Sequence, residues 1–319
     1  MAEFQYHIVE LIKTAILGSG SYGVVCKAKC DDLQCAVKLL HNALFKVNDP
    51  GAVTLIRRFE QECQFLNGIR HPHIIQYLGI HRDPDSGLPV LLMELAEENL
   101  TRHLERSHEQ LPYFMQVNIC HGIALALAYL HSNNIIHRDL SSNNVLMVGS
   151  KVKITDFGMS KLVSVDPRIT PLTMCPGATV YMPPEALKEQ PMYSKKLDCF
   201  SFGVLTIQVL TQQFPDPGVR FRSIEIKDVR IPMGKVDVPI PETERRYSHI
   251  SLIDPSHPLL STALQCLKDD DRKRPSAHEI SQCLCEPKEN LRYSESLSRN
   301  VSANYDQRIR ELQQQNEGP

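Results

Sequence analysis

Three side chains in one short tract have the types and spacing to hold a phosphate group and a metal ion together. From Ile136 to Gly158 the chain reads I-H-R-D-L-S-S-N-N-V-L-M-V-G-S-K-V-K-I-T-D-F-G. Asp139 precedes one apolar run, Asn144 to Val148, and Asp156 follows a second, Val152 to Ile154. Gly149-Ser150 between the runs is a turn signal, so the pattern predicts two short strands in a hairpin. Such a hairpin folds its ends together, and Asp139, Asn144 and Asp156 then face one small volume. That donor set suits a divalent cation beside a phosphate chain, because Mg²⁺ takes a few hard oxygen ligands and leaves the rest to water and phosphate.

The elements upstream fit the same chemistry. Gly18-x-Gly20-x-x-Gly23 alone has the spacing of a dinucleotide-binding turn. That turn opens a helix and meets an acidic residue ~20 positions later. Here Val24-Val25, a polar turn at Asp31-Asp32 and C-A-V-K-L-L follow, and the residue 20 places after Gly23 is Ala43. The tract therefore predicts strand, turn, strand, with glycines that let backbone amides approach a phosphate. Lys38 lies between two apolar residues on the second strand. Val53 to Ile69 has helical period, with Ile56, Phe59, Cys63 and Leu66 on one stripe. Glu60 and Glu62 on that helix are candidate partners for Lys38. A second H-R-D, His81 to Asp83, runs into Pro84, Asp85, Ser86 and Gly87 and lacks an Asn five residues on. It is read as a surface loop.

Taken in order, the glycine tract, A-V-K, H-R-D-L-x-x-x-N and D-F-G resemble the eukaryotic protein kinases, here of tyrosine-kinase-like type with mixed Ser/Thr and tyrosine features. The resemblance covers roughly residues 11–286. It implies an α+β fold of two lobes: a small antiparallel sheet with one helix at about 11–95, and a larger, mainly helical lobe at about 96–286. It implies ATP and Mg²⁺ as cofactors and protein substrates as partners. Gly18, Gly20 and Gly23 would form the flap over the phosphates, and Lys38 would pair with them. The distance to His71-Pro72 selects Glu62 as the residue that holds Lys38. Met93 would gate the adenine pocket, with backbone groups of Glu94 and Ala96 bonding the base. Val25, Ala36 and Leu146 would sandwich it. Asp139 would accept the substrate proton, Asn144 and Asp156 would hold the metal, and His137 would stack with Phe157. Met159 to Met182 would be the activation segment. Asp198 would accept bonds from the catalytic-loop backbone, Arg274 would pair with Glu185, and Phe200 stands where the family has tryptophan.

Two positions depart from the family. Ser/Thr kinases carry lysine two residues after the catalytic aspartate, and tyrosine kinases an arginine two or four after it; this chain has Ser141 and Asn143. Ala178 replaces the threonine that such a lysine would bond, so the two changes look like a matched loss. A charged hydrogen bond is worth ~1.5–3 kcal/mol, so transfer is expected to be ~10- to 100-fold slower, not absent. Gly177 and Tyr181-Met182 tilt the reading towards Ser/Thr, with tyrosine or dual specificity as the alternative.

Composition bounds the other classes. With 319 residues and 42% apolar content a substantial core can form. A net charge of −2 argues against nucleic-acid binding by bulk electrostatics. No run of apolar residues reaches the ~20 needed to span a bilayer, so no membrane span is expected. The ten cysteines are scattered without zinc spacing, and the N-terminus has no signal-peptide pattern, which predicts reduced thiols and a cytoplasmic location. Residues 1–10 read as a lead-in. Residues 287–319 read as a polar tail, disordered or marginally helical around Tyr305, Ile309 and Leu312, with only weak capacity for oligomerisation.

Overall fold

A computed structural model of the chain describes residues 8–19, 23–30, 33–40, 68–82, 89–107, 109–156, 161–162, 178–187, 194–215, 223–226, 229–232 and 252–285. Five antiparallel strands form the first sheet: β1 (Ile8–Ser19), β2 (Gly23–Cys30), β3 (Leu33–Leu40), β4 (Tyr77–Arg82) and β5 (Pro89–Glu94), in the order β1-β2-β3-β5-β4. Side chains alternate across a strand, and directly paired residues share a face. Ala28, Cys35, Val37, Val90 and Leu92 accordingly cluster on one side. Lys38 pairs with Val25 and Leu91, and Ala36 pairs with Met93, so these residues line the other side.

The chain then passes through β6 (Glu98–Asn99) into α1 (Leu100–Arg106), where Asn99 caps the helix by accepting from Arg102 N at 2.9 Å. Helix α2 (Tyr113–Ser132) and helix α3 (Lys196–Thr211) form the centre of the larger lobe. The sequence predicts a core face for α2 through Ile119, Ile123, Ala126, Leu127 and Leu130, and a buried helix from Val204 to Thr211. α2 buries that face and keeps an exposed strip through Phe114, Asn118 and Ser132, and α3 is buried without a break from Leu197 to Leu210. Short helices α4 (Pro258–Cys266) and α5 (Ala277–Cys283) cover them. Gly203 permits the close crossing: an added Cβ would stand 2.8 Å from Cys266 Cβ and 3.0 Å from Ala263 O. By length and composition α2 could also cross a membrane, but it runs through the core, with Val117, Ile123 and Leu127 fully buried.

β7 (Ile135–Ile136), β8 (Val145–Val148) and β9 (Lys151–Ile154) surround the tract that carries Asp139 and Asn144. β8 and β9 pair antiparallel beside β6, and β7 pairs with β10 (Lys161–Leu162). A further stitch joins the approach to β4 to this layer. Ile75 N donates to Ile154 O, and Ile154 N donates to His73 O, both at 2.9 Å.

Four details differ from the sequence reading. β1 begins at Ile8, inside the expected lead-in. His81 and Arg82 are strand residues, paired with Val90 and Pro89, and not a loop. The run from Ile74 to Ile80 reads as a strand, but β4 begins only at Tyr77 and Ile74 forms an isolated bridge to Ile154. The stretch between α3 and α4 contains a hairpin, β11 (Ser223–Ile226) with β12 (Val229–Pro232), which its proline and charge content does not announce.

Candidate active site

The hairpin places the catalytic tract. Residues 142–144 make one turn of 3-10 helix, and β8 starts at Val145, one residue later than the apolar run. Gly149 takes φ 58° at the reversal, where a side chain would be strained. Thr155 N donates to Asn144 O at 2.9 Å, which ties the two strand ends together.

Asn144 and Asp139 form a unit. Asn144 Nδ2 donates to Asp139 O at 2.7 Å and to Asp139 Oδ2 at 2.9 Å. With the amide nitrogen so engaged, the amide oxygen is left for another ligand. Asp156 stands at the other strand end with φ 63°, a left-handed conformation costly for aspartate and characteristic of sites held in place by their surroundings. Lys38 Nζ donates to Asp156 Oδ1 at 3.1 Å, with the lysine largely buried and the carboxylate half-exposed. Burial pushes the Asp139 carboxyl above the ordinary carboxylate range, and the charge of Asp156 adds to this. The hydrogen bond from Asn144 and the Lys38 ammonium pull it the other way without winning.

The loop carrying these groups hangs from Asp198. That fully buried carboxylate accepts from His131 Nε2 at 2.8 Å and from the backbone N–H of His137 and Arg138, both at 2.9 Å. Burial alone would raise its pKa, but these donors hold it below the usual range. Arg138 has φ 71°, so the bonds to Asp198 fix a strained residue next to Asp139. His137 Nδ1 accepts from Asp139 N at 3.3 Å, which puts the ring proton on Nε2, where it donates to Thr155 O at 2.9 Å.

The residues expected on the nucleotide side lie across the small sheet. Val25, Ala36, Lys38 and Met93 share its inner face. Leu146 on β8 approaches from the other lobe and packs, like Val25, against the main core. Met93 is buried. Ala96 makes no backbone hydrogen bond among the described residues, which leaves its N–H and C=O for a ligand. Glu94 N donates to Gln76 O at 3.0 Å. Gly18 pairs with Val25, and a Cβ there would meet nothing within 4 Å, so the space above the strand is open. Gly23 is paired with Leu40. Gly20, Glu62, Phe157 and most of the expected activation segment (159–160 and 163–177) lie outside the described residues.

Sequence reasoning missed the side-chain role of Glu94. Its Oε1 accepts from Lys153 Nζ at 2.5 Å and from Gln76 N at 2.6 Å, joining the strand before Ala96 to the strand before Asp156. No local spacing signals a pair 59 residues apart.

The segment around Glu185 is also tied in place. Arg274, 2% exposed, forks onto Glu185 with Nη1 to Oε1 at 2.5 Å and Nη2 to Oε2 at 2.9 Å. The guanidinium also lies 4.9 Å from the centre of the Phe200 ring, so the aromatic that replaces tryptophan keeps a packing role.

Among the described residues no three His, Cys, Asp or Glu side chains converge as a metal cage. One carboxylate and one amide oxygen, beside a lysine, fit a cation that draws its remaining ligands from phosphate and water.

Comparison with known proteins agrees with this geometry. Residues 11–284 match the protein kinase domain family model. The probable serine/threonine-protein kinase kinX of Dictyostelium discoideum is 31% identical over 277 residues, covering 86% of this chain and 23% of that protein. The dual specificity protein kinase shkE of the same organism is 29% identical over 281 residues, covering 86% and 36%. The LRR receptor-like serine/threonine-protein kinase FEI 2 of Arabidopsis thaliana is 31% identical over 283 residues, covering 84% and 45%. The chain spans less than half the length of each of these relatives. With a sheet lobe, a helical lobe and this ordered set of groups between them, the chain belongs to the protein kinase family.

Proposed function

We propose that this chain is an ATP-dependent protein kinase that transfers the γ-phosphate of ATP to protein hydroxyls, chiefly serine and threonine, with Mg²⁺ as the metal. The observation that carries the reading is the pairing of Asp139 with Asn144 beside the ion pair of Lys38 and Asp156. Asp139 would orient the substrate hydroxyl and accept its proton, and its burial suits a base better than an exposed carboxylate would. Asn144, held by Asp139, would offer its amide oxygen, and Asp156 its carboxylate, to the cation. A divalent cation there would neutralise charge on the phosphate oxygens. Lys38 would take a phosphate in place of Asp156, with Glu62 as its supporting partner. The inner sheet face and Leu146 would clasp the adenine, and Glu94 and Ala96 would bond its edge by their backbones.

The Ser/Thr preference rests on Tyr181-Met182 before the Pro183-Pro184-Glu185 motif, and on two relatives that are named as serine/threonine-protein kinases. Dual specificity is the second reading, favoured by the description of shkE. A cytoplasmic location belongs to the proposal and is supported by seven free thiols among the described residues. Purified chain incubated with ATP, Mg²⁺ and generic protein substrates tests it, followed by phosphoamino-acid analysis. Phosphoserine and phosphothreonine are expected. Mainly phosphotyrosine would overturn the preference, and no transfer with any divalent metal would overturn the enzyme.

A further inference from the structure

Five groups from four separate elements, three of them buried, form one line behind the catalytic loop. Ser142 Oγ is 2.6 Å from Thr101 Oγ1 and 2.9 Å from the Tyr181 hydroxyl. Tyr181 in turn lies 2.6 Å from Gln208 Oε1 on α3, and Thr101 Oγ1 on α1 lies 2.9 Å from Asn143 Oδ1. Ser142 is fully buried, and Tyr181 and Gln208 are each 3% exposed.

Tyr181 donates to Gln208 Oε1 and Thr101 donates to Asn143 Oδ1, so Ser142 has its one proton for either neighbouring hydroxyl. Removing the Ser142 or Tyr181 hydroxyl leaves buried partners short where water does not reach, whereas the Thr101–Asn143 end is open to solvent.

The line also ends where chemistry is held. Ser142 and Asn143 directly precede Asn144, whose backbone N–H donates to Ser141 O at 3.0 Å and whose side chain holds Asp139. Tyr181 opens the segment Tyr181-Met182-Pro183-Pro184-Glu185, and its own carbonyl accepts from Ser201 Oγ at 2.9 Å. The family's lysine and threonine, which would join loop to platform, are Ser141 and Ala178 here. Their loss leaves the join to be made one residue along.

We propose that Ser142 is a positioning residue for phosphoryl transfer: through Tyr181 it locks the catalytic loop to the peptide-binding platform, in place of the missing lysine–threonine contact. The lock is neutral and buried where the usual one is charged and reaches the γ-phosphate. It can hold Asp139 and Asn144 in register with a bound peptide, but it adds no positive charge to the reaction. This rests on the kinase reading, and the test separates the two.

Steady-state kinetics of Ser142→Ala, Tyr181→Phe and the double variant, each corrected for folded fraction by thermal melting, provide it. Each single variant should lose roughly 5- to 10-fold in kcat for peptide, the size of one neutral buried hydrogen bond. KM for ATP should stay within about twofold, because the nucleotide face is untouched. The double variant should fall no further than either single one. Ser281→Ala removes another buried hydroxyl, bonded to His278 O within α5, and should shift only the melting point. Additive losses, an unchanged kcat, or a loss no larger than the Ser281 control shows would overturn the proposal. Failure of the wild-type chain to phosphorylate anything would count against the kinase reading instead. Amide hydrogen exchange at Asn143 and Asn144 then still decides: faster exchange in both variants supports the lock, and unchanged exchange overturns it.

Discussion

Arg274→Met is expected to be among the most destabilising single changes in the larger lobe. A guanidinium has five N–H donors, and here each has an acceptor: Lys268 O on Nε at 2.6 Å, Glu185 Oε1 and Lys196 O on Nη1, and Glu185 Oε2 and Asp269 O on Nη2. Methionine keeps much of the stem's packing and deletes all five. Breaking a buried ion pair from one side costs ~3–5 kcal/mol, because the remaining charge is stranded. Glu185 is 16% exposed and can recover some hydration, which moves the value towards the lower end. Loss of the cation over Phe200 adds ~0.5–2 kcal/mol, not fully independently. A net cost of about 3–4 kcal/mol corresponds to a fall of about 6–16 °C in Tm at ~2–4 °C per kcal/mol for a large domain. Far-UV circular dichroism during heating reads it. Arg274→Met with Glu185→Leu should regain most of the loss, since a buried pair replaced as a whole by apolar groups is close to neutral. A single variant within about 2 °C of wild type, or a double variant less stable than the single one, would refute the reasoning.

Asp156→Asn should remove nearly all transfer while the melting point holds, because one hard anionic ligand is lost from a site with few; wild-type turnover in Mg²⁺ would disprove the metal assignment. Asp139→Asn should also abolish transfer, yet raise Tm at neutral pH. The folded carboxyl, pushed up by burial, holds its proton to higher pH than the unfolded chain does, so ionising it costs stability as pH rises through that window, and asparagine has no proton to lose. A lower Tm for this variant would show that the carboxylate is net stabilising; wild-type kcat should fall as pH drops through the same raised pKa. Gly203→Ala should cost about 1–3 kcal/mol in urea unfolding by forcing α3 from α4, and a neutral result would mean that the helices separate without strain.

The parts of this molecule that show in its sequence are those with a period or a turn. Gly149 between two apolar runs announces the β8–β9 hairpin, and with it the meeting of Asn144 and Asp156. The alternation of β3 gives Lys38 its face. His81-Arg82 shows the limit: Pro84 and Gly87 mark a turn, but only pairing with Val90 and Pro89 decides that the strand runs on to Arg82. Ser142, Thr101 and the Glu94–Lys153 pair leave no trace in spacing, because hydroxyls and lone charges gain meaning only from partners far along the chain. Helix α3 hides its role differently. Being buried all round from Leu197 to Leu210, it has no polar face to contrast with an apolar one.

The stitch at Ile154 has a mechanical meaning. Two hydrogen bonds fasten residues 73 and 75, just before β4, to a strand that ends two residues short of Asp156. Tilting the small sheet about that fastening leaves Asp156 nearly still, since it sits beside the pivot. Lys38 lies out along the sheet and sweeps through an arc. The 3.1 Å separation between them is therefore a gauge of lobe angle. Labels placed on β2 and α4 should report opening long before any label near Ile154 moves.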